Sequence, residues 1–184
     1  FKDFNRNESL DVYEDWRLPA VKRERDLAEQ LPIDRLCGLM LYSKATDADS
    51  ADLTQQQTDY LTKDYIRHML VRAVKDPKTA AQWSNNIQIL CESEPYGIPS
   101  NNSTDPRNYT NGKATTGAYG HEPDGEFDPS GASDISKWPR EVGMAATFDP
   151  ALVYAHGEVV SAEYRALGIT TALSPQIELS TDPR

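Results

Sequence analysis

Residues 65–99 read YIRHMLVRAVKDPKTAAQWSNNIQILCESEPYGIP, and this stretch decides the fold. Tyr65–Ala73 alternates loosely, with Ile66, Met69 and Val71 apolar, and reads as a strand. From Thr79 to Ser93 the period changes. Ala80, Trp83, Ile87, Leu90 and Cys91 recur at three and four residues, which is the stripe of an amphipathic helix. Pro95-Tyr96-Gly97-Ile98-Pro99 stops that helix and starts a second strand. Strand, helix and strand, with no tight turn between the strands, make a parallel β/α unit.

The same alternation extends outward. Upstream, Pro19–Leu31 is helical, with Pro19 in the first turn and Val21, Leu27, Ala28 and Leu31 able to share one face. Leu36–Tyr42 is a short apolar run, and residues 44–59 are polar and read as loop. Downstream, residues 100–136 are a long polar stretch rich in Gly, Asn, Asp and Thr, a length that marks a functional or disordered segment. Helix resumes after Pro139, breaks at Asp149-Pro150, and runs over Ala151–Leu167. Val153, Val160 and Leu167 form its stripe and Gly168 is its C-cap. Ile169–Leu173 is a last short strand, and no internal repeat is visible.

Composition bounds the function. The chain has 184 residues, the size of one domain or a large piece of one. A net charge of −10 repels phosphate backbones and argues against a nucleic-acid partner. The longest apolar runs are a few residues (Leu39–Leu41, Met144–Ala146), too short for a membrane span. No charged-plus-apolar leader opens the chain, so a signal peptide would precede Phe1. Two cysteines cannot build a disulfide scaffold; Cys37 and Cys91 read as two small buried hydrophobes rather than a pair.

Residues 3–14, DFNRNESLDVYE, carry the twelve-residue EF-hand spacing. Calcium takes six or seven hard oxygens, and this spacing wraps them about one point. The ligands fall on Asp3, Asn5, Asn7, Ser9 (through its main chain), Asp11 and Glu14, with Leu10 as the apolar anchor. Such an ion would be structural, with no open position for chemistry. The sixth position, normally Gly for a turn with positive φ, is Glu8. A side chain there costs on the order of 1 kcal/mol. The alternative is a solvated Asx-rich turn that binds nothing. Residues 1–17 form this segment and residues 18–184 the β/α domain.

A second candidate is Asp105, at the end of the strand that Gly97-Ile98-Pro99 starts. A carboxylate at the C-terminal end of a parallel strand sits where β/α barrels build their sites. Pro106 keeps it out of α conformation. By spacing alone the alternative, an Asp capping a turn, stands ahead of it.

Five segments in order resemble the N-terminal part of a glycoside hydrolase family 3 enzyme of the β-glucosidase-like group. Asp11–Leu41 (DVYEDWRLPAVKRERDLAEQLPIDRLCGLML) is similar to that family's opening helix and the segment after it. Gly97–Asn108 (GIPSNNSTDPRN) resembles its "GIP…D" strand, and residues 138–150 (WPREVGMAATFDP) its "FP…AAT.D" stretch. EYRALGI (163–169) and SPQIELSTDPR (174–184) resemble the "E.RALGI…P…DPR" block. The Asn-rich opening resembles bacterial members that carry a calcium loop.

The resemblance implies an α/β fold, an incomplete (β/α)8 TIM-type barrel made of the first few β/α units and preceded by the EF-hand-like loop. It implies a retaining glycosidase that releases β-linked sugar, commonly glucose, from oligosaccharides or glycosides through a carboxylate nucleophile and an acid/base. Asp105 is the one family site residue that maps onto this chain, where it would bind hydroxyls of the innermost sugar. The family's substrate arginine, its Lys-His pair, its nucleophile and its acid/base all come after the matched block, so no catalytic residue is assigned here. The implied partners are a β-glycoside substrate and the remainder of the same enzyme chain. A full barrel takes about 250 residues, and these 184 hold about three of its strands, so the reading expects a piece of a larger enzyme.

Other residues carry less. His68 reads as a packed strand residue and His121 as a solvated loop residue. Trp138 reads as core, and Glu163 with Arg165, like Asp182 with Arg184, as structural, an ion pair that fixes helix to barrel. Sequons occur at Asn7, Asn101, Asn102 and Asn108, and three of them crowd the strand end that should face substrate. That favours a bacterial periplasmic or secreted protein that does not glycosylate them. The competing readings are a non-catalytic carbohydrate-binding protein and a calcium-dependent scaffold.

Overall fold

The computed structural model describes residues 2–104, 136, 138–139 and 141–173. The elements in order are α1 (Ala20–Gln30), α2 (Ile33–Leu39), β1 (Thr46–Ala48), α3 (Gln55–Thr62), β2 (His68–Val74), α4 (Pro77–Ser93), β3 (Asn101–Thr104), α5 (Glu141–Ala145), α6 (Pro150–Ala166) and β4 (Thr171–Ala172). Single 3-10 turns lie at Val12–Glu14 and Pro95–Gly97.

The four strands form one sheet in the order β1-β2-β3-β4, every pair parallel. Parallel neighbours need crossovers, and α3 and α4 supply the first two. Sequential order with parallel pairing is compatible with part of a β/α barrel. The register runs Asp47↔Ala73 and Ala48↔Val74 between β1 and β2, and Leu70↔Ser103 between β2 and β3. All C-terminal ends therefore lie together: Lys75 N donates to Ala48 O at 3.2 Å, and Leu173 N to Thr104 O at 2.9 Å.

The sheet holds one strand more than the sequence reading counted. Residues 44–59, read as loop, contain β1 and most of α3. β1 is only Thr-Asp-Ala, without apolar alternation, and exists because β2 offers it a backbone edge. α3 did leave a mark: Thr54 and Gln57 make a reciprocal capping box, with bonds of 3.2 and 2.9 Å. α4 begins at Pro77, two residues before the expected start at Thr79, because the Asp76 carboxylate accepts from Thr79 N at 2.8 Å and Thr79 Oγ1 at 2.7 Å.

The core lies between the sheet and its helices. Ala80, Trp83, Ile87 and Cys91 of α4 pack with Leu61 of α3, Met69, Val71 and Val74 of β2, Ala48 of β1, and Leu167 and Ile169 after α6. The α4 stripe predicted from periodicity is thus buried at Ala80, Trp83, Ile87 and Cys91, and Leu90 packs against the core partly buried. The α6 stripe is buried only at its C-terminal end: Leu167 is 3% exposed but Val153 is 44% exposed. Gly168 ends α6 with φ +78°, as expected of a C-cap glycine. Cys91 is buried and Cys37 is exposed, so the reading of two buried thiols holds for one. Cys37 falls outside because α2 turns that position to solvent.

Arg67, one residue before β2, is 3% exposed. Its guanidinium donates to the carbonyls of Leu61 (2.8 Å), Ile66 (2.9 Å) and Ile98 (2.8 Å), which ties α3 and the lead into β3 to the N-terminal end of the sheet. Burial holds its pKa below the ordinary arginine value.

Candidate active site at the strand ends

Side-chain alternation assigns the two faces of the sheet. On β1, Thr46 Oγ1 accepts from Gln57 Nε2 of α3 at 2.6 Å, and Ala48 is fully buried in the helix-side core. Asp47, between them, belongs to the opposite, inner face and is half-buried. On β2, Met69 and Val71 face the core, and His68 belongs to the inner face, where it stacks on Tyr42 with ring centroids 5.0 Å apart. On β3, Asn102 Nδ2 donates to Ser84 Oγ of α4 at 3.1 Å, so it faces the helices.

The N-terminal end of the inner face is a closed polar network. Asn101 Oδ1 accepts from Thr170 Oγ1 at 2.7 Å and Thr171 Oγ1 at 2.8 Å, and Asn101 Nδ2 lies 3.4 Å from His68 Nδ1. His68 is therefore packed and paired, as the sequence reading expects. The C-terminal end is where substrate chemistry belongs in this topology. β3 reaches it at Thr104, the last described residue before Asp105. Asp105 itself, like His121, Asn108, Asp182 and Arg184, lies outside the described residues. Asp47 reaches the same end on β1 and was not singled out by sequence. Its only signal is its place one residue before an Ala that proves to be core.

Residues 3–14 form a loop held by its own polar groups. Asp3 accepts from Asn7 N (3.1 Å) and Glu8 N (2.8 Å), and Asp11 Oδ2 accepts from Asn7 Nδ2 at 2.9 Å and also from Asn5 Nδ2. Ser9 N and Oγ donate to Asn7 Oδ1 at 2.9 and 2.8 Å. Glu14, 4% exposed, accepts from Phe4 N at 2.6 Å and Asp11 N at 3.1 Å. Glu8 takes φ +64°, the left-handed turn that the spacing asks of its sixth position. The Val12–Glu14 3-10 turn closes the loop where an EF-hand would start its exiting α-helix. The Tyr13 hydroxyl is buried beside the Glu14 carboxylate. Burial, and then the Glu14, Asp11 and Asp3 carboxylates, push its pKa above the ordinary phenol value. Among the described residues no three His, Cys, Asp or Glu side chains are gathered to hold a metal.

The loop is fastened to the domain. Lys2 pairs with Glu92 at 2.9 Å, Arg6 donates to Ser93 O at 3.1 Å, and the Phe4 ring lies over Gly97. Between that loop, α1 and residues 96–99 is a cavity of about 300 Å³, lined mostly by aromatic and aliphatic side chains (Phe4, Tyr13, Leu27, Tyr96, Ile98). It opens at the N-terminal end of β3, opposite the strand ends. On α6, Glu163 accepts from Ser136 N (3.1 Å) and Oγ (2.7 Å), while Arg165 donates to Ser161 at 2.8 Å. The two charges therefore anchor separate groups. Trp138 is half-buried and tilted against His156, with centroids 4.9 Å apart.

Comparison with known proteins agrees with this geometry. The chain is 36% identical over 191 residues to a periplasmic beta-glucosidase/beta-xylosidase of Dickeya chrysanthemi, a match that takes in 100% of this chain. Its relatives are β-glucosidases. A probable beta-glucosidase C of Aspergillus oryzae is 30% identical over 97% of the chain, and beta-glucosidase C of Emericella nidulans is 29% identical over 97%. The resemblance read from the ordered motifs is thereby borne out. The chain spans about a quarter of the length of these relatives: 27% of the first two and 28% of the third. No family model matches the chain.

Proposed function

We propose that these residues are part of a retaining β-glycosidase of glycoside hydrolase family 3 that releases β-linked glucose from oligosaccharides or glycosides. The end-to-end similarity to β-glucosidases carries this reading. A parallel sheet whose C-terminal ends lie together supports it. Asp105 binds sugar hydroxyls, since a charged acceptor makes strong, orienting bonds. The nucleophile and the acid/base come from other parts of the full-length protein. The first relative is named periplasmic, and no described helix is long and apolar enough to cross a membrane. We assign the protein to the periplasm or the exterior of a bacterial cell.

The test is sugar release by the full-length protein from aryl β-glucosides and β-xylosides. Hydrolysis is expected, and Asp105→Asn should lower kcat/KM by about 10- to 100-fold, the value of one or two charged hydrogen bonds. A full-length protein that cleaves no aryl β-glycoside would refute the reading.

The same proposal includes a structural calcium ion on residues 3–14. Asp3, Asn5, Asn7, Asp11 and Glu14 offer hard oxygens of the class calcium takes, joined by the Ser9 main-chain carbonyl. Their mutual hydrogen bonds bring them into one loop, and Glu8 already makes the turn. The ion would offset the charges of Asp3, Asp11 and Glu14 and leave the chemistry to other groups. Calcium should raise the melting temperature relative to a chelator, and equal melting temperatures in both would remove the ion from the proposal.

A further inference from the structure

We propose that Asp47 is a substrate-binding residue of the same site, one that neither the motifs nor the relatives' names point to. This rests on the glycosidase reading. Three observations place it. Thr46 and Ala48 on either side of it are committed to the helices, one by the bond to Gln57 and one by complete burial, so Asp47 belongs to the inner face of the sheet. It lies at the C-terminal end of β1, since Ala48 is the strand's last residue and its carbonyl takes the bond from Lys75 N. Finally, Asp47 is half-buried, as suits a carboxylate partly shielded from water at the mouth of a site.

The order β1-β2-β3 puts Asp47 two strands from the end of β3, about 10 Å away. One pyranose with a hydrogen bond at each side bridges such a gap. An ionised carboxylate accepts from sugar hydroxyls and cannot donate, so it binds the hydroxyl-rich glycone and also favours a protonated ring nitrogen in its place. The neighbouring acid Asp49 lies past the strand end and is exposed, which makes it the natural control.

The experiment compares full-length wild type, Asp47→Asn and Asp49→Asn, measuring kcat and KM on an aryl β-glucoside. Alongside these go the inhibition constant of the protonated iminosugar 1-deoxynojirimycin and the melting temperature. Asp47→Asn should weaken the iminosugar and raise KM by about 10- to 100-fold, while Asp49→Asn changes neither. Wild-type KM and inhibition in a folded Asp47→Asn protein overturn the proposal. If that variant fails to fold, Asp47→Ser carries the test, since it removes the carboxylate with a smaller polar side chain; wild-type values there overturn the proposal equally. A wild type inactive on every aryl β-glycoside brings down the glycosidase reading and this proposal with it. Activity in wild type with no effect at Asp47 brings down the proposal alone.

Discussion

Glu8 holds a left-handed backbone with φ +64° inside a loop whose other residues make the bonds that shape it. That conformation costs a non-glycine residue about 1–2 kcal/mol. Glu8→Gly removes the strain but adds freedom to the unfolded chain, so a net gain of about 0.5–1 kcal/mol is expected in denaturant unfolding. A loss would show that the Glu8 side chain stabilises the loop by a contact of its own. Arg67 is the opposite case, a buried cation whose guanidinium donates to three carbonyls. Arg67→Met keeps the volume but strands the carbonyls of Leu61, Ile66 and Ile98, and should cost about 3–5 kcal/mol of stability. A cost under about 1 kcal/mol would mean that water replaces the guanidinium. The sequence marked Glu8 as a departure from the loop pattern, and its left-handed backbone came from the structure. The role of Arg67 was not legible in the sequence, because its three acceptors come from parts of the chain on both sides of β2.

Helix α4 owes its start to Asp76, whose carboxylate is held below the usual carboxylate range first by the Thr79 backbone N–H and then by the Thr79 hydroxyl. A group whose folded pKa is depressed adds stability above its unfolded pKa and loses it as pH falls through the folded value. Asp76→Ala should therefore lower the melting temperature at pH 7, and the gap to wild type should close under acid. Asp76→Asn, which can still cap, should change it much less. A gap independent of pH would assign the loss to something other than the ionised cap. The N-terminal loop meets the domain at Gly97, which has φ +54° and lies beneath the Phe4 ring. A methyl group there would overlap Phe4, so Gly97→Ala should free residues 2–14 and speed their proteolysis and amide exchange while the sheet stays protected. Unchanged exchange at Phe4 would count against that coupling. At this scale α4, α6 and the strands β2 and β4 follow from apolar periodicity and punctuation. β1 does not, because three residues without an apolar pattern become a strand only when a neighbour presents its edge.

Across the whole molecule, one thiol is sealed in the core and one is open. Burial pushes the Cys91 thiol pKa up and removes it from solvent, whereas Cys37 is exposed. A thiol reagent at neutral pH should label one cysteine in the native protein and two after unfolding. Native labelling of both would show that the core opens readily, and labelling of neither would indicate a Cys37–Cys91 disulfide. The junction of α4, α6 and the sheet is equally specific. Gly168 sits against Ser84, whose hydroxyl accepts from Asn102 of β3 and donates to the Gly168 carbonyl at 3.3 Å. Three elements meet there with no room for a methyl group.

The sequence by itself determined the alternation of helices and strands, the parallel topology and the relationship to β-glucosidases. Each of these rests on local periodicity, on turn chemistry, or on motifs kept in order along the chain. It also determined the spacing of oxygen donors in residues 3–14. Tertiary structure alone decided that residues 46–48 complete a four-stranded sheet, and that Arg67 closes the sheet's N-terminal end against carbonyls. It also decided that Asp47 belongs to the inner face. The reason is common to all three: each depends on which backbone or core lies beside the residue, and that neighbour comes from another part of the chain.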